Sequence, residues 1–145
     1  MIDPFEKVTI GQGLEVPRFG LGCAHIAKQG EEGAVAIVRE ALDRGVGFFD
    51  TAPLYGRGVS ERCVGRGVVG AVRDAFVLST KVGRLIRDGQ AVFDYSADGI
   101  RRSLDESLER LQLYRIDIAL VHDPYKYYEQ VLSDSVPVLE KWRDE

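Results

Sequence analysis

The chain has 145 residues, 45% of them hydrophobic and 29% charged, and a formal net charge of −4, the balance of a globular domain rather than a disordered or fibrous chain. No basic cluster stands out, which argues against nucleic acid or an anionic membrane surface as a partner, and no apolar run approaches the ~20 residues needed to span a bilayer. The opening stretch Met1-Ile2-Asp3-Pro4-Phe5-Glu6 lacks the basic and apolar regions of a secretory signal, and Cys23 and Cys63 show no metal-ligand spacing, so a reduced, cytoplasmic protein without a metal site is expected.

Val8-Thr9-Ile10 and Leu14-Glu15-Val16 flank Gly11-Gln12-Gly13 and predict a β-hairpin over 8–16. A phosphate loop fails there because no helix follows. Arg18 to Gly22 reads as a short first strand. A helix is predicted from about Glu31 to Arg44, with Glu31 and Glu32 at its positive end, Gly45 as its left-handed cap, and Ala34, Ile37, Val38, Ala41 and Leu42 on one apolar face. The second strand, Val46 to Phe49, ends at Asp50. A loop from Thr51 to Val59 leads to a helix capped by Ser60, with Val64, Val68 and Val72 on one side. The third strand, Phe76 to Thr80, ends at Lys81. The third helix has the clearest entry signal: Ser96 as N-cap, Asp98 in the first turn, and Tyr95 positioned to staple onto Ile100. Ile100, Leu104, Leu108 and Leu111 form its predicted buried stripe, with Arg101–Asp105 and Arg102–Glu106 as i,i+4 pairs. The fourth strand, Ile116 to Val121, ends at His122. A last helix presents Val136, Leu139 and Trp142 on one side, and Pro137 must start or bend it.

Alternating strands and helices imply a parallel sheet. A doubly wound sheet would place a glycine-rich phosphate turn after its first strand, whereas Gly22 is followed by Cys23-Ala24-His25-Ile26. A (β/α) barrel predicts chemistry at the carboxyl ends of successive strands, and Asp50, Lys81 and His122 fall there, with Tyr55 in the loop just after Asp50. This set suits carbonyl reduction or its reverse. A phenol, ordinarily ionising near pH 10, is a sluggish proton donor unless an ammonium close by stabilises the phenolate; Lys81 fills that role, and Asp50 keeps the lysine charged. His122 can donate to the carbonyl oxygen. None of these groups is a hydride donor, so a nicotinamide cofactor is required. Singly, each has an ordinary reading as a turn cap, a loop aromatic, a solvated strand end or a loop histidine; the convergence of four suited types on one rim carries the argument.

Phe49-Asp50-Thr51-Ala52-Pro53-Leu54-Tyr55-Gly56 followed by Ser60-Glu61 and Val64-Gly65-Arg66, then Leu78-Ser79-Thr80-Lys81-Val82-Gly83, then Ser103-Leu104-Asp105-Glu106-Ser107-Leu108 running to Tyr114-Arg115-Ile116-Asp117 and His122, together resemble the aldo-keto reductase family. The similarity covers essentially the whole chain, and the stretches around Pro53-Leu54-Tyr55-Gly56 and Val82-Gly83-Arg84 most resemble a bacterial branch of aldose (fucose- or threo-aldose-type) and pyridoxal dehydrogenases. The resemblance implies an α/β fold: the N-terminal half of a (β/α)8 TIM barrel, with an N-terminal hairpin, four parallel strands and about four helices forming one partial barrel domain over 1–145. It implies a catalytic tetrad of Asp50, Tyr55, Lys81 and His122, the tyrosine being proton donor or acceptor. It places Gly22 and Cys23, with Asp50, near a bound NADP or NAD, most of whose contacts would lie beyond the end of this chain. The implied partner is a small carbonyl or sugar substrate. His25 matches no motif and reads as a surface residue. A complete barrel of this type needs about 250 residues and eight strands, so the expectation is a truncated barrel, supported by the abrupt stop at Lys141-Trp142-Arg143-Asp144-Glu145, or one completed by its missing half or by a second copy. A fragment or non-enzymatic interaction module, inactive alone, is the alternative.

Overall fold

A computed structural model describes residue 3 and residues 6–144 of the chain; most of the opening stretch read above, and the terminal Glu145, lie outside the described residues. The predicted hairpin forms as β1 (Lys7–Ile10) against β2 (Leu14–Pro17) in antiparallel register. Four short strands then build a parallel sheet: β3 (Leu21–Gly22), β4 (Phe48–Asp50), β5 (Val77–Val82) and β8 (Ile118–Val121), in that order across the sheet. All four expected strands start later than the sequence placed them, and all but one end where it placed them. The exception is β5, whose ladder runs one residue past Lys81.

Helix α1 (Gly30–Asp43) ends at Gly45, whose φ of 85° allows its N–H to reach the Leu42 carbonyl at 2.9 Å. Its buried face is Ala34, Val35 and Val38; Ile37, expected inside, is exposed. A helix turns 100° per residue, and here the neighbouring α2 (Val59–Gly67) draws Val35 inward instead. In α2 the N-cap is Gly58, not Ser60; Ser60 lies inside the first turn and spends its hydroxyl elsewhere. Val64 and Val68 are buried as expected, but the chain leaves the helix before Val72, which is 73% exposed.

Between β5 and helix α3 (Ala97–Leu111) lies a feature the sequence reading passed over, an antiparallel hairpin of β6 (Arg84–Arg87) and β7 (Gln90–Phe93). Asp88 and Gly89, both at positive φ (50° and 71°), make its turn, the pattern of a two-residue hairpin loop. Helix α3 starts as predicted, the Ser96 hydroxyl accepting from Gly99 N–H at 3.1 Å. The expected i,i+4 pairs do not form: Arg101 bonds Asp98 at 3.0 Å and Arg102 bonds Asp94 at 2.8 Å. Both arginines turn toward carboxylates at the helix entrance, where the dipole already gathers negative charge. The stripe is also divided: Ile100 and Leu111 are fully buried, whereas Leu104 and Leu108 are half-buried.

The final helical run is α4 (Tyr128–Gln130), a π-helical turn over Val131–Ser135, and α5 (Val136–Asp144). Pro137 sits just past the widened turn. A proline ring collides with the carbonyl four residues back in a regular helix, and a π turn opens the space it needs. Val138 packs inward with Val82 and Ile100, while Val136, Leu139 and Trp142 line an apolar groove with Leu104, Leu108 and Ile118.

The main core lies between the sheet and helices α1 and α2, where Phe49 and Phe76 meet edge-on at 6.1 Å. Successive strand residues face opposite sides. Phe49, Leu78 and Val82 therefore face the helices, leaving Asp50, Ser79 and Lys81 on the inner side. The outer edges of β3 and β8 carry no further strand among the described residues, and Leu120 on β8 is 45% exposed. Helices α2 and α3 cross so closely at Gly65 that an added methyl group would collide with the Leu111 carbonyl. Gly65→Ala is expected to lower stability by about 1–3 kcal/mol, read as a lower urea midpoint with an unchanged slope.

Candidate active site

The rim at the carboxyl ends of the strands is stitched by ladder hydrogen bonds that continue past the strands. Cys23 N–H donates to the Asp50 carbonyl (2.8 Å), Thr51 N–H to that of Ser79 (2.9 Å), and His122 N–H to that of Val82 (2.9 Å). Backbones fixed in this way bring Asp50, Lys81 and His122 to one side of the sheet. Asp50 is level with Ser79, so Lys81, two residues further on, reaches back across: its Nζ donates to Asp50 Oδ1 at 2.9 Å, to Oδ2 at 2.7 Å and to the Thr51 carbonyl at 3.0 Å.

Tyr55 comes from the loop. A turn from Ala52, closed by Tyr55 N–H on the Ala52 carbonyl at 3.1 Å, folds it back over the rim. Lys81 Nζ lies 4.8 Å from the centre of its ring, and the ring meets His122 edge-on at 6.0 Å. The four residues of the expected tetrad are therefore gathered at one place.

Burial works against the Lys81 charge, but the Asp50 hydrogen bonds and then the neighbouring Tyr55 hydroxyl outweigh it and raise the ammonium above the ordinary lysine range. His122 shifts the other way: burial first, then the charge of Arg84, hold it below the ordinary histidine range, which favours the neutral imidazole. Its Nδ1 is buried without a hydrogen-bond partner, and Nε2 lies 3.8 Å from Asp123 Oδ2, beyond hydrogen-bond reach.

Gly22 lies beside Asp50 in the parallel register, and a Cβ there would meet nothing within 4 Å, so the rim is open at this point. Cys23 is different. Its side chain is fully buried, its N–H is taken by Asp50 and its carbonyl by Ser60. Burial, then the Asp50 charge, pushes its thiol up to about 12. It is a buried residue of the wall behind the rim, its thiol held in the protonated form. His25 is exposed.

Several supporting residues escaped the sequence reading. The Ser60 hydroxyl donates to the Cys23 carbonyl at 2.9 Å, so the Thr51 hydroxyl, 2.8 Å away, donates to Ser60. Glu61, with no exposed surface, accepts from Thr80 Oγ1 at 2.7 Å and from Arg110 Nε at 2.6 Å. Tyr95, expected only as an apolar staple, is buried with its hydroxyl donating to the His122 carbonyl at 2.6 Å. Its ring fills the space over Gly83, where φ is 91° and any side chain would collide. The Ser60-Glu61 pair following the loop motif was the available signal for the first two; Tyr95 gave none.

The aldo/keto reductase family model matches residues 18–145, and the chain belongs to that family. It is 40% identical to L-galactose dehydrogenase of Arabidopsis thaliana, over 92% of this chain and 43% of that protein. It is 35% identical to D-threo-aldose 1-dehydrogenase of a Pseudomonas species, over 97% of this chain and 50% of that protein. Among solved structures, an aldo-keto reductase from Bacillus halodurans in its holo form superposes with a TM-score of 0.83 at 30% identity, over 97% of this chain and 47% of that one. Another, from Klebsiella pneumoniae in complex with NADPH, gives 0.71 at 29% identity, over 97% of this chain and 45% of that one. The fold is thus the first half of a (β/α)8 barrel with its N-terminal hairpin, and the chain spans about half the length of the relatives it matches.

Proposed function

We propose that this chain carries the proton-transfer half of an oxidoreductase that interconverts a small carbonyl compound and its alcohol, with Tyr55 as proton donor or acceptor. The observation that supports it most directly is the Lys81 ammonium, bonded to both Asp50 oxygens and lying 4.8 Å from the Tyr55 ring. In the reducing direction a carbonyl oxygen rests against the Tyr55 hydroxyl and the His122 imidazole. As the carbon is reduced, charge grows on that oxygen; a hydrogen bond from neutral His122 stabilises it, and the Tyr55 hydroxyl proton moves onto it. The phenolate left behind faces the Lys81 ammonium, which Asp50 keeps charged, and is reprotonated from solvent. In the oxidising direction the phenolate removes the proton of the alcohol.

The residues present suit the reactive end of a nicotinamide cofactor: the rim is open at Gly22 and Asp50 stands beside it. These two would border the ring, with Cys23 buttressing the wall from behind. When bound, NADP or NAD supplies the hydride that no side chain here can provide. Likeness to L-galactose dehydrogenase and D-threo-aldose 1-dehydrogenase favours an aldose oxidised at its first carbon to a lactone. The partial barrel over 1–145 is read as one domain.

One observation favours the second reading, an inactive fragment or interaction module: among the described residues neither edge of the parallel sheet carries a further strand, and Leu120 is exposed. Titrating the 145-residue chain with NADPH and NADH, followed by fluorescence, separates the two. Saturable binding, with oxidation of aldoses, supports a working enzyme. No binding at millimolar cofactor shows that this chain alone is not one.

A further inference from the structure

The exposed and buried groups around His122 include an ion pair that the mechanism above does not use. Arg84, on β6, places Nη2 3.0 Å from Asp123 Oδ2. The same carboxylate oxygen is 3.8 Å from His122 Nε2, so one acid stands between two bases. Left to itself, a carboxylate at that distance would close on the imidazole, favour its protonated form, and take up an N–H as an ion-pair donor. An imidazolium held in that way has one nitrogen committed to Asp123 and a charge that no longer suits a neutral donor. We propose that Arg84 is a positioning residue for His122: it takes the Asp123 carboxylate into its own ion pair and so keeps that acid from capturing the imidazole, leaving the ring free to face the substrate oxygen.

The surroundings fix this arrangement. The guanidinium lies over the Phe93 ring at 4.8 Å, and only 16% of the arginine side chain is exposed. On the other side, the Tyr95 hydroxyl bonds the His122 carbonyl at 2.6 Å and the Asp123 carbonyl at 3.3 Å, pinning the backbone that carries both residues. The charged and titratable groups facing the imidazole are Asp50 on β4, Lys81 on β5, Tyr55 from the loop, Arg84 on β6 and Asp123 beside it. After burial, Arg84 depresses the protonation of His122 most; Asp123 opposes it, Lys81 adds to the depression, and Asp50 opposes it again. Removing Arg84 therefore acts twice in one direction, by losing a positive neighbour and by releasing Asp123. Removing Asp123 acts in the other.

The inference rests on the role proposed for His122, but its test reads proton binding and not turnover. The chain has two histidines, so in a His25→Asn background a single imidazole signal reports His122 in an NMR pH titration of the full chain. Arg84→Met is expected to raise the midpoint by about one pH unit, a tenfold gain in proton affinity, and Arg84→Lys to bring it part of the way back. Asp123→Asn is expected to lower it. An unmoved midpoint in folded Arg84→Met overturns the proposal. If that variant loses its amide dispersion, Asp123→Asn decides alone: a downward move supports the proposal and an unmoved midpoint overturns it. An inactive enzyme with the expected titration would strike the catalytic reading and leave Arg84 in place; the converse pattern would do the opposite.

Discussion

Tyr55→Phe, introduced into a catalytically competent barrel carrying this segment, is expected to lower turnover about 10²–10⁴-fold while cofactor affinity stays near wild type. The substitution removes one oxygen and leaves the ring in place, and the ring makes the edge contact with His122 and lies beside Lys81 Nζ. Packing around the site should therefore survive. What disappears is the proton, and the charge-stabilised phenolate it leaves. Lys81 offers no substitute donor, because Asp50 and the Thr51 carbonyl occupy its N–H groups; His122 offers none either, because in its neutral form it stabilises the oxygen but holds its proton too firmly to complete the transfer. Steady-state turnover beside fluorescence titration of NADPH makes the check. Wild-type turnover in Tyr55→Phe would remove the phenol from the mechanism, and a parallel collapse of cofactor binding would show that the substitution disturbs the rim instead.

Much of this site could be read from sequence because a parallel strand has simple rules. Apolar runs ending in Asp50, Lys81 and His122 put three side chains at one rim, and the structure gathers them there with Tyr55. The same reasoning found the Ser96 cap and the Gly45 stop, where local hydrogen bonding decides. It failed where the partner was distant in sequence. Ile37 and Val35 are equally apolar, and only the direction from which α2 approaches makes Val35 the buried one. Arg101 and Arg102 each had an acid four residues on, and both chose acids on the opposite side in sequence, near the helix entrance. The β6–β7 hairpin is a different failure: Asp88-Gly89 between Leu85-Ile86 and Ala91-Val92 is a local turn signal that was present and went unread. That hairpin carries Arg84 to the side of His122. Tyr95 was legible as a buried aromatic but not as the donor beneath His122, since nothing in its neighbourhood of sequence announces a contact 27 residues away.

Glu61→Ala is expected to cost about 3–5 kcal/mol of folding stability, the usual result of removing one partner of a buried ion pair. Glu61 has no exposed surface, and its two oxygens tie three elements together: Oε1 accepts from Thr80 on β5, and Oε2 accepts from Arg110 on α3, while its own backbone belongs to α2. Thr80 directly precedes Lys81, so this clamp also fixes the strand that delivers the ammonium to Asp50. Alanine leaves a buried hydroxyl without its acceptor and Arg110, only 18% exposed, with the weaker 3.7 Å contact to Glu106 in its place. A loss of that size is a large share of the 5–15 kcal/mol typical of a domain, so the urea midpoint should fall steeply. The diagnostic is the double variant Glu61→Met, Arg110→Met. If the single loss reflects an abandoned charge, replacing both partners with apolar side chains should recover most of it. If instead the double variant is as unstable as the sum of the singles, the clamp contributes through the geometry of its bonds to Thr80, and the cost of Glu61→Ala is the cost of letting β5 drift away from α2.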